Sequence, residues 1–270
     1  MAAGGGAGAG PFRDHFSAVA AGYAAYRPHY PDALFAYLAS LPPRRDLAWD
    51  CACGNGQATL GLATHFTRVI GTDASPAQLE FATPHPRIEY RVGLAERSGL
   101  SQGSTDLVTV AQALHWIDLE KFYAEVRRVL TPGGVLAVWS YPNARLENPG
   151  LDGQLQSFYH DTVGPYWPPG RELVETGYRT LPFPFAELTS PPPAFEMTAE
   201  WTLEELLGYV GSWSATARFI SDRGTDPRDL LRERFTSIWG APGSRHGLRW
   251  PLALRVGRVV RQSAGRGADA

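Results

Sequence analysis

The sixteen residues "AWDCACGNGQATLGLA", 48–63, decide the fold. An apolar run ends at Cys51, glycines stand at 54 and 56, and apolar residues at helical spacing begin after Gln57. Taken alone, that order fits a metal site, a redox pair, a nucleotide-binding turn or a plain strand running into a helix. Cys51 and Cys53 are the only cysteines. One residue apart at a strand end, their side chains would point to opposite faces, and a bridge between them would be badly strained. Neither a histidine pair nor a second cysteine pair stands at zinc spacing. The two residues read as small buried thiols, with no metal expected.

Outward from this stretch, apolar runs alternate with helical patterns. "LAWDC" (47–51) predicts a buried strand and "QATLGLATHF" (57–66) a helix. "RVIGTD" (68–73) predicts a second strand, followed by a helix in "SPAQLEFA" (75–82) with Ser75 as its cap and Pro76 at its first position. "RIEYRV" (87–92) and "TDLVTVAQ" (105–112) predict strands, "LEKFYAEVRRVL" (119–130) a helix, and "TPGG" (131–134) a turn into the strand "VLAVWSY" (135–141). This alternation predicts an α/β fold, a doubly wound, mostly parallel sheet with helices on both faces. Ligands of such sheets bind beyond the carboxyl ends of the strands. Functional residues should therefore gather at 51–57, 73–78, 93–97, 112–116 and 140–143.

Composition narrows the classes. With 270 residues and 44% hydrophobic content, the chain can bury one large core, or one core with an insertion. A net charge of −2 gives no long-range attraction to nucleic acid or an anionic membrane. Lys121 is the only lysine, and no apolar run reaches membrane-spanning length. "MAAGGGAGAG" (1–10) lacks the basic and apolar regions of a secretory signal, so a cytoplasmic protein is expected. Residues 1–10 and 262–270 read as loose tails.

Gly54 and Gly56 remove side chains where a backbone must turn sharply against a ligand. Asp73, seventeen residues after Gly56, ends the next strand, where a carboxylate reaches a ribose diol. A dinucleotide turn would want a third glycine where Thr59 stands, and a P-loop needs a lysine that is missing. Asp50 would repel a phosphate and suits an ammonium group. The ligand should be a ribose at one end and a cation at the other.

With these residues in view, "WDCACGNGQ" resembles the first motif of class I S-adenosylmethionine-dependent methyltransferases, with Ala52 at the first glycine position. "VIGTD", "STDLVTVAQALHW" and "VLTPGGVLAVW" resemble three further motifs in the family's order. "AAGYAAYRPHYP", "HWIDLEKFYAEVRRVL" and "GYVGSWSATARF" are similar to the trans-aconitate methyltransferase-like subgroup. The resemblance implies a Rossmann-like seven-stranded sheet with a final antiparallel strand in "LRWPLALRVGR" (248–258). It implies S-adenosyl-L-methionine as cofactor and a small-molecule methyl acceptor, such as a carboxylic acid giving a methyl ester. An aromatic or amine metabolite is the alternative acceptor, and a non-catalytic cofactor-binding protein the alternative class. Cofactor-facing residues would be Cys51, Ala52, Cys53, Gly54, Gly56 and Gln57 along the methionine part, with Asp50 near its amino group and Asp73 on the ribose. Ala74, Gln78, Ala95 and Glu96 would surround the adenine, Leu94 standing where relatives place an aspartate. Gln112 would complete the edge, and Tyr23 and Arg27 would close over it.

Residues 11–145 and 248–261 are expected to form the core, and 146–247 a lid over the acceptor, returning one strand to the sheet around "AFEMTAEW". His115 follows strand four and is the expected catalytic residue: a general base for a phenol or amine, or an orienting group for a carboxylate, which needs no base. Tyr26, Trp116, Tyr141, Trp167, Trp213 and Arg218 are the expected acceptor-side residues, with Arg218 serving there or in a surface ion pair.

Overall fold

The computed structural model describes residues 28–241 and 243–259. A helix α1 (Asp32–Ser40) precedes the first parallel strand β1 (Leu47–Cys51), helix α2 (Gln57–Ala63) and strand β2 (Arg68–Asp73). Next come the short α3 (Pro76–Leu79), β3 (Ile88–Val92), β4 (Thr105–Ala111), α4 (Leu119–Val129) and β5 (Leu130–Ser140). A helical region then carries β6 (Arg145–Leu146), α5 (Pro149–Ser157), α6 (Arg171–Glu175), β7 (Ala186–Glu187), β8 (Phe195–Trp201), α7 (Leu203–Gly211), α8 (Ser214–Arg223) and α9 (Pro227–Thr236). The long β9 (His246–Arg258) closes the described chain.

The sheet order is β3-β2-β1-β4-β5-β9-β6, with β7 and β8 also paired to β9. Strands β1 to β5 pair in parallel, and β9 runs antiparallel to β5. The described sheet thus has nine strands where seven were expected. The two additions, β6 and β7, are two residues each and too short to leave a periodic signal.

The apolar runs are continuous because both faces of the sheet are covered. Along β5, Val135, Ala137 and Trp139 enter the core shared with α1 and α2, while Leu136 and Val138 enter the one shared with α4. On α4, Phe122, Tyr123, Val126 and Val129 are buried at helical spacing, and Asp118 caps its start by accepting the Lys121 N–H. A third core joins α5, α7, α8, α9, β8 and β9 around Phe158, Trp213 and Trp250. The stretch 173–185 does not join that third core. Val174, Tyr178 and Phe185 pack with Trp49 and Phe122 against the sheet.

Several local expectations need correction. "TPGG" (131–134) is not a separate turn but lies within β5, with Gly133 at φ 82°, and the helix expected over 75–82 is only Pro76–Leu79. "QATLGLATHF" stops being helical at Ala63, leaving Phe66 to turn back into the core. Ser75 precedes α3 with Pro76 in the first turn, but its hydroxyl makes no cap bond. Its backbone N–H is turned instead to Asp73.

Candidate active site

Sheet register brings the strand ends level: Cys51 pairs with Thr72 on β2 and with Val110 on β4, and Asp73 pairs with Val92 on β3. After Cys51 the chain turns through three left-handed residues, Ala52 at φ 53°, Gly54 at 56° and Gly56 at 82°. An L residue in that region costs roughly 1–2 kcal/mol, so Ala52 is held there by its surroundings, including the Cys53 N–H bond to the Thr72 carbonyl at 3.0 Å. A Cβ on Gly56 would collide with the Tyr90 phenol. On Gly54 it would meet only Gln78 Oε1 at 3.6 Å, so the missing side chain there leaves free space against bare backbone. Cys51 is buried, Cys53 is half-buried, and both are free thiols. Burial pushes both thiols well above the usual range.

Asp73 accepts the Gly54 N–H on Oδ2 at 2.8 Å and the Ser75 N–H on Oδ1 at 2.8 Å. Through these two bonds it anchors the glycine turn. Asp50 lies beneath the turn, fully buried. Its Oδ2 accepts from Thr59 Oγ1 at 2.6 Å and its Oδ1 from Thr109 Oγ1 at 2.7 Å. The resemblance puts Asp50 near the amino group of the cofactor; in the structure its two oxygens also tie α2 to β4. Burial first, with Asp73 nearby, pushes its carboxyl up to about 6 against the pull of the two hydroxyls.

The remaining edge residues have structural partners as well. Gln57 Nε2 donates to the Pro28 carbonyl at 3.0 Å. Gln112, at φ 58°, donates through Nε2 to the Tyr141 carbonyl at 2.9 Å and ties the ends of β4 and β5 together. Gln78 is buried, Ala74 and Ala95 are half-buried, and Leu94 is exposed. Glu96 accepts the Asp118 N–H at 3.0 Å, which joins the 93–97 loop to the start of α4. Tyr23, Tyr26 and Arg27 lie outside the described residues.

Next to this edge, His115 sits in a 3₁₀ turn (Leu114–Trp116) directly after β4. Trp116 packs on it at 4.6 Å between ring centroids and is 40% exposed. His115 Nδ1 lies 3.0 Å from the Tyr178 hydroxyl, and α6 begins beside the imidazole at Gly170. Burial, then the charge of Arg171, pulls the His115 imidazole down to about 4.

The Arg171 guanidinium stacks over Trp167 at 4.5 Å and donates from Nε to Tyr159 Oη at 2.5 Å. Tyr159 Oη in turn donates to Glu175 at 2.5 Å. Arg171, Tyr159 and Tyr178 were not legible as site residues, because the helical region gives no pattern that brings them to His115.

Of the other expected acceptor-side residues, Trp167 lines this group. Trp213 and Tyr141 are buried, at 3% and 4% exposure, within the third core. Trp213 packs behind Trp167 and Tyr159, at 5.6 and 5.5 Å, and supports them. Arg218 is half-buried and forms no ion pair among the described residues.

The methyltransferase-domain family model matches residues 49–138. A Dictyostelium discoideum protein named as a methyltransferase is 36% identical, covering 82% of this chain and 85% of its own. A Saccharomyces cerevisiae protein, named as an S-adenosylmethionine-dependent methyltransferase, is 28% identical over 74% of this chain and 80% of its own. Among solved structures, a type II methyltransferase from Anaeromyxobacter dehalogenans has a TM-score of 0.82 at 44% identity, covering 87% of this chain and 99% of its own. Parallel strand ends held in register, a left-handed glycine turn with room against its backbone, and a second-strand carboxylate at that turn are what S-adenosylmethionine needs, and with these relatives they make the chain a class I S-adenosylmethionine-dependent methyltransferase.

Proposed function

We propose that the enzyme methylates a small carboxylic acid, giving a methyl ester. The observation that carries this is Arg171. Its side-chain partners among the described residues are Tyr159 Oη, Glu175 at 3.7 Å and the faces of Trp167 and Tyr159. Both terminal amino groups therefore keep their N–H donors, in a fork that matches a carboxylate. His115 supports the same reading. An imidazole of pKa about 4 is too weak a base to take a proton efficiently from a phenol or an ammonium group. A carboxylate is already ionised at neutral pH and requires no base.

S-adenosylmethionine, when bound, supplies a sulfonium methyl that passes to the acceptor oxygen while the carbon–sulfur electron pair stays on sulfur. Cys51 to Gln57 would line its methionine part, Asp73 would take the ribose hydroxyls, and Ala74, Gln78, Ala95 and Glu96 would surround the adenine. Gln112 completes this edge, and Tyr23 and Arg27 belong to the segment expected to cover it. Tyr26, Trp116 and Arg218 remain candidates for the acceptor side, with residues 146–247 as the expected lid. Positioning of this kind supplies roughly 7–11 kcal/mol of a barrier in favourable cases.

The test is a panel of carboxylic acids, phenols and amines incubated with methyl-labelled cofactor. Base-labile labelled esters from the acids are expected. Transfer to phenols or amines in preference to acids would overturn the proposal.

A further inference from the structure

Tyr178 is one of three non-glycine residues with a left-handed backbone among the described residues. It is fully buried and sits at φ 59° immediately after Gly177 at φ 66°. A Cβ on Gly177 would lie 2.5 Å from that of Ala253. The Tyr178 N–H reaches the Leu173 carbonyl at 2.8 Å, and its own carbonyl accepts from Arg255 Nη1 at 2.7 Å. Its ring lies nearly parallel to His115, 28° between planes. A non-glycine residue in the left-handed region, pinned from both sides of its peptide, is strain held in place at a functional site.

His115 Nδ1 lies 3.0 Å from the hydroxyl at the end of that ring, its one side-chain hydrogen-bond partner among the described residues. A tyrosine hydroxyl has one proton to give, and Nδ1 can take it only if it carries none. The other tautomer would direct an N–H at the oxygen and leave a buried O–H with no acceptor.

We infer that Tyr178 is a positioning residue that locks His115 as the neutral Nε2–H tautomer, so the imidazole offers the acceptor a hydrogen-bond donor and no base. Arg171, on the segment that also brings Gly170 against the ring, acts in the same direction, since its charge opposes a protonated imidazole. Trp116 closes the near side without a titratable group. One carboxylate oxygen of the acceptor can then take the Nε2–H bond while the other bonds the methyl carbon, and no proton moves. Only that last consequence rests on the carboxylate proposal; the tautomer does not depend on the acceptor.

Nitrogen-15 spectra of histidine-labelled full-length protein, without acceptor, test the lock, with His115→Gln identifying the His115 signals. The wild type should show His115 protonated on Nε2 alone and neutral from pH 7.5 down to 5. Tyr178→Phe should mix the two tautomers and raise the pH at which the ring titrates. A proton on Nδ1 in the wild type, or a Tyr178→Phe spectrum identical to wild type, would overturn the inference. Should Tyr178→Phe not fold, the wild-type spectrum decides alone.

Discussion

Around the glycine turn, the groups proposed to face the donor are backbone atoms and one carboxylate, standing at strand ends held level by sheet register. Around His115, the proposed acceptor side is made of side chains on irregular segments, with the histidine and its tyrosine 63 residues apart in the chain. The first region is fixed by elements buried on both sides, and a change there disturbs the fold and the ligand together. The second is a cluster of polar contacts seated on an aromatic floor, where one side chain can change without disturbing the sheet. On the proposed reading, donor binding is common to the fold and acceptor choice is local to residues 115 and 159–178.

Substitutions can separate the two regions. Gly56→Ala should have the largest effect: a left-handed alanine costs about 1–2 kcal/mol and the clash with Tyr90 about 1–3 more, so affinity for S-adenosylhomocysteine should fall roughly a hundredfold, read by calorimetry. A variant that binds normally would show the turn to be softer than its geometry. Asp73→Ala removes the Gly54 anchor and the proposed charge-assisted ribose contacts, and should weaken the same ligand at least about tenfold while the melting transition survives. Unchanged affinity would remove Asp73 from the donor side. Arg171→Ala should raise the KM for a carboxylic acid at least roughly tenfold, the size of losing one hydrogen bond to a charged group. Its affinity for S-adenosylhomocysteine should stay the same. An equal loss of both affinities would collapse the distinction between the regions.

The smallest expected effect is on pH. Asp50 has a folded pKa near 6, above its usual 3.8, so its ionisation costs the free protein stability as pH rises through 6. A cationic cofactor favours the ionised carboxylate. Affinity for S-adenosylmethionine should therefore rise by up to about tenfold between pH 5 and 7, then level off. A flat profile would mean that the buried charge does not reach the donor.

How far the site can be read from the sequence follows the same division. Strands β1 to β5 are legible because their side chains alternate between two cores, and the turn is legible because glycine is demanded by the backbone itself. Asp50 was visible as an acid at the right place, but its task was not: Thr59 and Thr109 are spaced to two different elements, and only the packing of α2 and β4 over β1 brings their hydroxyls to one carboxylate. His115 was visible from its place after β4. Arg171 and Tyr178 were hidden because no period links them to it. The Gly-Tyr pair at 177–178 signals a left-handed turn at most, not what the turn presses against.

A crystal structure of the protein with S-adenosylhomocysteine tests the central claim most directly. The account predicts the homocysteine part along Ala52 to Gly56 and both ribose hydroxyls on the Asp73 carboxylate. Ligand bound elsewhere, with the Gly54 face empty and Asp73 bonded only to Gly54 and Ser75, would contradict it.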